Sequence, residues 1–146
     1  MMAPAHRVTG LCAGVLTWAV LADHPAAVLA IPAGLIGGNA PDALEWIGSS
    51  RWCTHRTITH WFWLWAALFI AGAYYLHTPF GPALIGYAAG GLTHLMFDVV
   101  NVVGIPVAHP WSRISFKWWP SGRHDARLCL LCTAIAGFAA GWRLSF

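Results

Sequence analysis

Residues 82–103 read PALIGYAAGGLTHLMFDVVNVV. This stretch predicts a membrane helix that contains candidate functional residues. A helix that crosses the hydrocarbon of a bilayer needs about 20 mainly apolar residues, and this stretch is long enough. It also contains His94 and Asp98. Because ionisable residues inside a membrane segment are costly, each of them is by default a candidate for function.

The composition of the whole chain is that of a membrane protein. Of its 146 residues, 58% are hydrophobic and 9% are charged, whereas about a quarter are charged in a soluble domain. Such a high apolar and aromatic content excludes a disordered chain. The net charge of +3 is small, so we expect no nucleic acid partner. We expect residues 1–146 to form a single membrane-embedded domain.

Four other apolar stretches lie outside residues 82–103, and all are short for a full crossing. They comprise residues 8–22, 26–39, 61–76 and 128–142. Tilting, local thinning of the bilayer or partial burial would accommodate them. The predicted fold class is therefore all-α, a polytopic membrane helix bundle with about four to five transmembrane or membrane-embedded helices. Whether the first two stretches cross fully stays open.

The positive charges predict the orientation. If all five stretches cross, the N-terminus and the loops 40–60 and 104–127 share one side. That side carries Arg7, Arg51, Arg56, Arg113, Lys117, Arg123 and Arg127, which leaves Arg143 on the other. Because cytoplasmic loops have an excess of Lys and Arg, this side is predicted to be cytoplasmic.

The ionisable residues of the stretch at 82–103 form a pair. His94 and Asp98 are four residues apart, which places both on one face of a helix. They could chelate one metal ion, or the carboxylate could hold the imidazole by a hydrogen bond. A buried pair that only neutralises itself is the alternative, and the pair alone does not decide between them.

Two further sets of polar residues lie next to apolar stretches. His55 and His60 precede the third stretch. They could be metal ligands or polar anchors at the membrane surface. Arg56 between them suits an anionic group such as phosphate, or equally a lipid headgroup. Asp42 and Glu45 end the second stretch, and acidic residues have no anchoring role on the negatively charged cytoplasmic leaflet.

All of these residues lie at the same predicted end of their helices. His6 at the start of the first stretch and Asp125 before the last one join them. The convergence predicts a shared metal site, and the candidates are His6, Asp42, Glu45, His55, His60, His94, Asp98 and Asp125. Imidazole and carboxylate ligands suit zinc, with manganese or iron as alternatives, and the number of ligands leaves room for one ion or two. Water bound to such an ion becomes a nucleophile.

The motifs that carry these residues resemble those of the YdjM-type family of bacterial inner-membrane proteins, usually described as membrane-bound metal-dependent hydrolases. The resemblance rests on His6, Pro41-Asp42, His55-Arg56-x-x-Thr59-His60, Gly91-Leu92-Thr93-His94-x-x-x-Asp98, Gly104-Ile105-Pro106 with Pro110, and Ser121-Gly122 with Asp125. The chain departs from the family pattern at three places. Leu44 stands where a second acid is usual, with Glu45 one place late, Trp61 replaces a frequent Ser, and Asn101 a frequent Thr.

Together, the residues and the resemblance imply a hydrolase of the bacterial inner membrane, multi-pass, with its site facing the cytoplasm. The expected metal ligands are His6, Asp42, Glu45, His60, His94 and Asp98, and the expected catalytic residues are His55, Arg56 and Asp125. The expected partners are membrane lipid and a small-molecule or lipid-linked substrate, such as a phosphoester, and the sequence does not predict the oligomeric state. The alternative is a non-enzymatic protein, either a metal or proton carrier or a structural scaffold.

Overall fold

The computed structural model describes residues 1–145, and these residues are mostly helical. They form five α-helices, which are α1 (Ala3–Val20), α2 (Ala30–Ala43), α3 (Phe62–Tyr74), α4 (Phe80–Val99) and α5 (Asp125–Leu144). Each helix overlaps one of the apolar stretches of the sequence, in the same order. The prediction of a predominantly helical chain is therefore confirmed.

Two short hairpins lie in the connections that the sequence identifies as polar loops. Strands β1 (Trp46–Ile47) and β2 (Ser50–Arg51) pair antiparallel between α2 and α3. Strands β3 (Ile105–Pro106) and β4 (Arg113–Ile114) pair in the same way between α4 and α5. The apolar pattern predicts neither hairpin, because a strand of two residues is too short to show an alternation.

Glycines bring α1, α2 and α4 into direct backbone contact. A Cβ atom on Gly34 of α2 would lie 2.6 Å from the carbonyl oxygen of Gly10 and 2.6 Å from Cα of Gly14, both on α1. On the α4 side, a Cβ atom on Gly90 would lie 2.3 Å from the carbonyl oxygen of Gly34. Pairs of small residues four apart allow this close approach in membrane helices. Helix α2 is therefore held between α1 and α4.

A second close contact joins α3 to α4. The Trp65 side chain of α3 is fully buried, and a Cβ atom on Gly91 of α4 would lie 1.9 Å from Cε3 of its ring. The indole Nε1–H of Trp65 donates a hydrogen bond of 2.7 Å to the carbonyl oxygen of Thr59. Because Thr59 directly precedes His60, this packing fixes the turn that carries a candidate ligand.

Helix α5 is the one helix of the described residues that is long and apolar enough to cross a membrane. It packs against α1, and its only buried residue is Ala136. The sequence predicts that only residues 82–103 reach full length, and this is wrong for the last stretch, because α5 also has 20 residues. Helix α4 has the same length, but it contains His94 and Asp98 and does not meet the same requirement for a crossing. The other predicted crossings stay predictions.

Candidate metal centre

Four separate segments bring ionisable side chains to one place. His6 comes from α1, Asp42 from the last turn of α2, His60 from a 3-10 turn at Ile58–His60, and His94 and Asp98 from α4. The side chains of His60 and His94 are 0% exposed, and those of His6 and Asp98 are 1% exposed. Asp42, at 36%, is partly open. The cluster is therefore buried on one side and accessible on the side of Asp42.

Two imidazole nitrogens and two carboxylate oxygens form the centre of this cluster. Nε2 of His60 lies 3.4 Å from Oδ1 of Asp42 and 3.8 Å from Oδ2 of Asp98. Nε2 of His94 lies 3.4 Å from Oδ2 of Asp98 and 4.0 Å from Oδ1 of Asp42. Ligand atoms at the usual zinc distances in a tetrahedral site are about 3.3–3.6 Å apart. These four side chains could therefore hold one metal ion.

The hydrogen bond of His94 directs its free nitrogen toward the carboxylates. Its Nδ1 lies 2.8 Å from the carbonyl oxygen of Gly38, which can only accept a hydrogen bond, so Nδ1 carries the proton. The lone pair is then on Nε2, which is buried and has no hydrogen-bond partner among the described residues. A backbone carbonyl bound to the second ring nitrogen is the usual support of a metal-ligating histidine.

His60 has a similar arrangement with a carboxylate behind it. Its Nδ1 lies 3.3 Å from Oε1 of Glu45 and 3.1 Å from the Thr59 hydroxyl oxygen. Its Nε2 is also buried without a hydrogen-bond partner in residues 1–145. Burial lowers the pKa of His60, but the nearby carboxylates of Asp42 and Glu45 outweigh it and raise the pKa above its ordinary value. The carboxylates thus stabilise positive charge here, whether from a proton or from a metal ion.

Glu45 contacts several polar groups of the loop between α2 and α3. Its carboxylate is buried and accepts hydrogen bonds of 2.9 Å from the backbone N–H of Arg56 and of 3.4 Å from the Thr59 hydroxyl. Nδ1 of His55 lies 2.9 Å from both of its oxygens. Burial raises the pKa of Glu45, but hydrogen bonds from His60, Arg56 and His55 outweigh it and lower the pKa to about 2. The ionised carboxylate therefore orders both histidines of this loop.

Arg56 is buried and paired with Asp98. Its Nη2 lies 2.8 Å from Oδ2 of Asp98, and its Nη1 donates a hydrogen bond of 3.3 Å to the carbonyl oxygen of Gly104. Its backbone adopts a φ of 58°, a left-handed conformation that is costly for residues other than glycine. Its Nε is buried without an acceptor in the described part of the chain. Asn101 also donates to Asp98, with Nδ2 2.9 Å from Oδ1.

His6 completes the buried side. Its ring stacks on that of His94, with centroids 3.6 Å apart and an angle of 14° between the planes. Its Nε2 lies 3.5 Å from Oδ1 of Asp98, and its buried Nδ1 lacks a hydrogen-bond partner within the described chain. His6, His94 and Asp98 offer ligand atoms that all lie within 4.8 Å of one another. The same holds for a second group, which comprises Asp42, Glu45, His55 and His60.

The sequence that forms this cluster matches a known protein family. A family model described as YdjM inner membrane protein matches residues 1–145. The chain belongs to the YdjM inner membrane protein family. The match covers all five helices and every residue of the cluster, and it confirms the resemblance seen in the motifs. The comparisons found no similar curated protein and no similar solved structure.

The structure of this YdjM family member brings eight of the nine predicted site residues together, seven of them in the two groups above and Arg56 through its contact with Asp98. Asp125 is the exception. It begins α5, and its Oδ2 accepts a hydrogen bond of 2.8 Å from the backbone N–H of Met2. His55 lies at the accessible edge, with 42% of its side chain exposed. Arg56, predicted to face a substrate, has its guanidinium against Asp98 instead.

The sequence analysis missed three supporting groups of this YdjM centre. They are the carbonyl group of Gly38, the Asn101 amide and the Trp65 indole. A backbone carbonyl leaves no signal in a sequence. The other two do leave one, because Asn101 is a polar residue three places after Asp98, and Trp65 is four places from Trp61 in the same apolar stretch.

Proposed function

We propose that this YdjM family protein is a membrane-bound metal-dependent hydrolase in which Asp42, His60, His94 and Asp98 hold a divalent ion. The observation that carries the proposal is the pair of buried Nε2 atoms of His60 and His94. Each lacks a hydrogen-bond partner among the described residues, and each has a carboxylate oxygen 3.4 Å away. Nitrogen and carboxylate ligands without thiolate favour zinc, with manganese and iron as alternatives.

The remaining residues suit hydrolysis of a phosphoester or a lipid-linked substrate. A divalent ion in this position would acidify a bound water and polarise a phosphoryl oxygen. His55 has its Nδ1 held by Glu45 and is partly exposed, which leaves its Nε2 to accept a proton. The guanidinium of Arg56 is buried in the cluster, so we assign it the positioning of Asp98 and not the binding of a substrate anion. Asp98 holds the guanidinium in place.

We assign positioning roles to Glu45 and His6. Glu45 orients His60 through Nδ1, and His6 stacks on His94, or supplies a ligand to a second ion. Loss of such a support typically weakens metal binding by about 10–100-fold. We therefore expect Glu45→Gln to weaken metal affinity by that amount in a metal titration. A loss as complete as that of His60→Ala would make Glu45 a ligand.

We place the centre at the cytoplasmic face of a multi-pass protein of the inner membrane. The family name supports a location in the inner membrane. The clustering of Lys and Arg in residues 1–7, 40–60 and 104–127 supports the orientation. Five crossings put the C-terminus on the outer side. A reporter that is active only outside the cytoplasm, fused after the last residue, should therefore be active. An inactive reporter would contradict this topology.

The hydrolase is tested by chelation and reconstitution. Purified protein in lipid nanodiscs should lose phosphodiesterase activity toward bis-p-nitrophenyl phosphate after chelation and regain it with one of zinc, manganese or iron. His94→Ala should stay inactive with each ion, while His77→Ala, an exposed histidine outside both groups, should behave as the wild type. Full activity of His94→Ala would overturn the assignment. Metal flux into proteoliposomes without turnover would favour the carrier.

A further inference from the structure

The two hairpins carry exposed apolar side chains, among them four tryptophans. We call residues 46–53 and 105–118 the hairpin platform. Tryptophan is enriched where a membrane meets water, because its ring is apolar and its N–H is polar. The exposed large side chains of the platform include Trp46, Ile47, Trp111, Ile114, Phe116 and Trp118. In a protein surrounded by water, such a patch would be a liability, so it indicates a surface that is normally covered.

The charges of the hairpin platform are all positive. Arg51 lies in β2, Arg113 in β4 and Lys117 just after β4, and all three are exposed. The guanidinium of Arg51 lies 4.8 Å from the centroid of the Trp46 ring. Neither residues 46–53 nor residues 105–118 contain an Asp or a Glu. Aromatic side chains mixed with Arg and Lys complement a layer of anionic lipid headgroups.

The hairpin platform is continuous with the accessible edge of the candidate metal centre. Nη2 of Arg113 donates a hydrogen bond of 2.7 Å to the carbonyl oxygen of His55. Nε of Arg51 lies 3.4 Å from Oε2 of Glu45. One cation from each hairpin thus contacts the loop that holds His55 and Glu45. A headgroup layer bound to the platform would lie beside this edge.

We propose that the hairpin platform binds the anionic phospholipid surface of the leaflet that the centre faces. Its aromatic side chains enter the headgroup layer, and Arg51, Arg113 and Lys117 contact lipid phosphates. The platform therefore holds the accessible edge at headgroup depth, where a lipid-linked substrate arrives by lateral diffusion. Only this last consequence rests on the proposed hydrolase, because lipid binding by the platform requires no metal and no turnover.

The depth of the platform can be measured with a fluorophore. Ile47→Cys and Trp111→Cys are made in a chain whose four native cysteines are replaced by serine, and each is labelled with NBD in nanodiscs of phosphatidylcholine and phosphatidylglycerol. NBD-labelled cysteine free in the aqueous phase is the control. We expect headgroup nitroxide to quench the platform positions several-fold more than the control, and aqueous iodide to do the reverse. Iodide quenching equal to that of the control would overturn the proposal.

The preference of the platform for anionic lipid is tested in a second experiment with a matched control. Phosphatidylglycerol that stays bound is counted by native mass spectrometry after release from mixed nanodiscs. Arg51→Gln with Arg113→Gln should retain several-fold less of it, whereas Arg51→Lys should retain the wild-type amount. Arg143→Gln is the control, because that guanidinium contacts the carbonyl oxygen of Ala22 instead. Unchanged retention in the double variant would overturn the proposal.

Two further measurements on the same samples distinguish lipid binding from binding of free phosphate, and the platform from the metal centre. Inorganic phosphate at millimolar concentration should not displace the bound lipid, and displacement would mean that the cations bind free phosphate and would overturn the platform. Metal content should stay normal in the double variant. Lipid binding by a wild-type chain that contains no metal would support the platform and remove only the proposed hydrolase.

Discussion

Helices α4 and α5 both have 20 residues, yet they occupy opposite environments. Helix α4 buries His94, Asp98 and most of its glycines, while α5 buries Ala136 and exposes large apolar residues such as Leu130 and Phe138. The helix with ionisable residues on its buried face is thus in the interior, and the helix whose charged residues lie near its two ends is at the periphery. In a membrane protein this is the expected order, because lipid is as apolar as leucine and polar residues must find partners inside.

The glycines of the two helices differ in the same way. A Cβ atom on Gly91 of α4 would collide with the Trp65 ring, but one on Gly137 or Gly141 of α5 would meet no neighbouring atom of the described residues within 4 Å. In α4, glycine permits the backbone contacts that enclose the cluster. In α5, glycine has no packing role among residues 1–145. The contrast therefore separates a helix that forms the cluster from one that lies at its periphery.

The largest expected effect comes from removing a carboxylate from α4. Asp98→Ala leaves the buried guanidinium of Arg56 without its partner, which typically costs about 3–5 kcal/mol. We expect that loss in the free energy of unfolding, measured in detergent with chelator present so that metal does not contribute. Asp98→Ala combined with Arg56→Met should recover much of it. If Asp98→Ala alone were as stable as the wild type, the buried charge of Arg56 would not need the Asp98 carboxylate.

The next effect is expected in α5. Phe138→Arg places a charge near the middle of this helix, where an arginine costs about 2.5–3.5 kcal/mol in membrane insertion. We expect a reduced membrane-inserted fraction in a translation assay with microsomes or inverted vesicles, and no change for Phe138→Leu. Equal insertion of Phe138→Arg would mean that α5 does not cross the lipid.

The smallest expected effect compares one methyl group in the two helices. Gly91→Ala forces the Trp65 ring to move, and overpacking of this kind costs about 1–3 kcal/mol. Gly137→Ala should leave the free energy of unfolding unchanged or raise it by up to about 1 kcal/mol, because alanine favours helix. Chemical unfolding of both variants measures the difference. Equal effects in both helices would remove the distinction between them.

Much of the helical framework could be predicted from the sequence, because apolar runs mark helices directly. The five stretches match the five helices, and the spacing of His94 and Asp98 predicts their common face on α4. The convergence of His6, Asp42 and His60 on that pair was also predictable, because it depends only on which helix ends share a side. The family resemblance carried further information in the same residues.

The second layer of the centre was not predictable. The left-handed backbone of Arg56 turns its guanidinium toward Asp98, and no residue type at this position signals such a conformation. Glu45 carries its acid one place later than the family pattern, and only the fold shows its contact with Nδ1 of His60. Backbone conformation and hydrogen-bond acceptors such as the carbonyl of Gly38 become visible only in three dimensions.

The central claim is that His60, His94, Asp42 and Asp98 hold a divalent ion, and the most direct measurement is the metal content of the purified chain. Elemental analysis of the wild type should give close to one divalent ion per chain, and His77→Ala should match it. His94→Ala should contain almost none after the same purification, because it lacks a nitrogen that the fold directs at both carboxylates. A stoichiometric ion in His94→Ala, or none in the wild type after metal supplementation, would contradict the account.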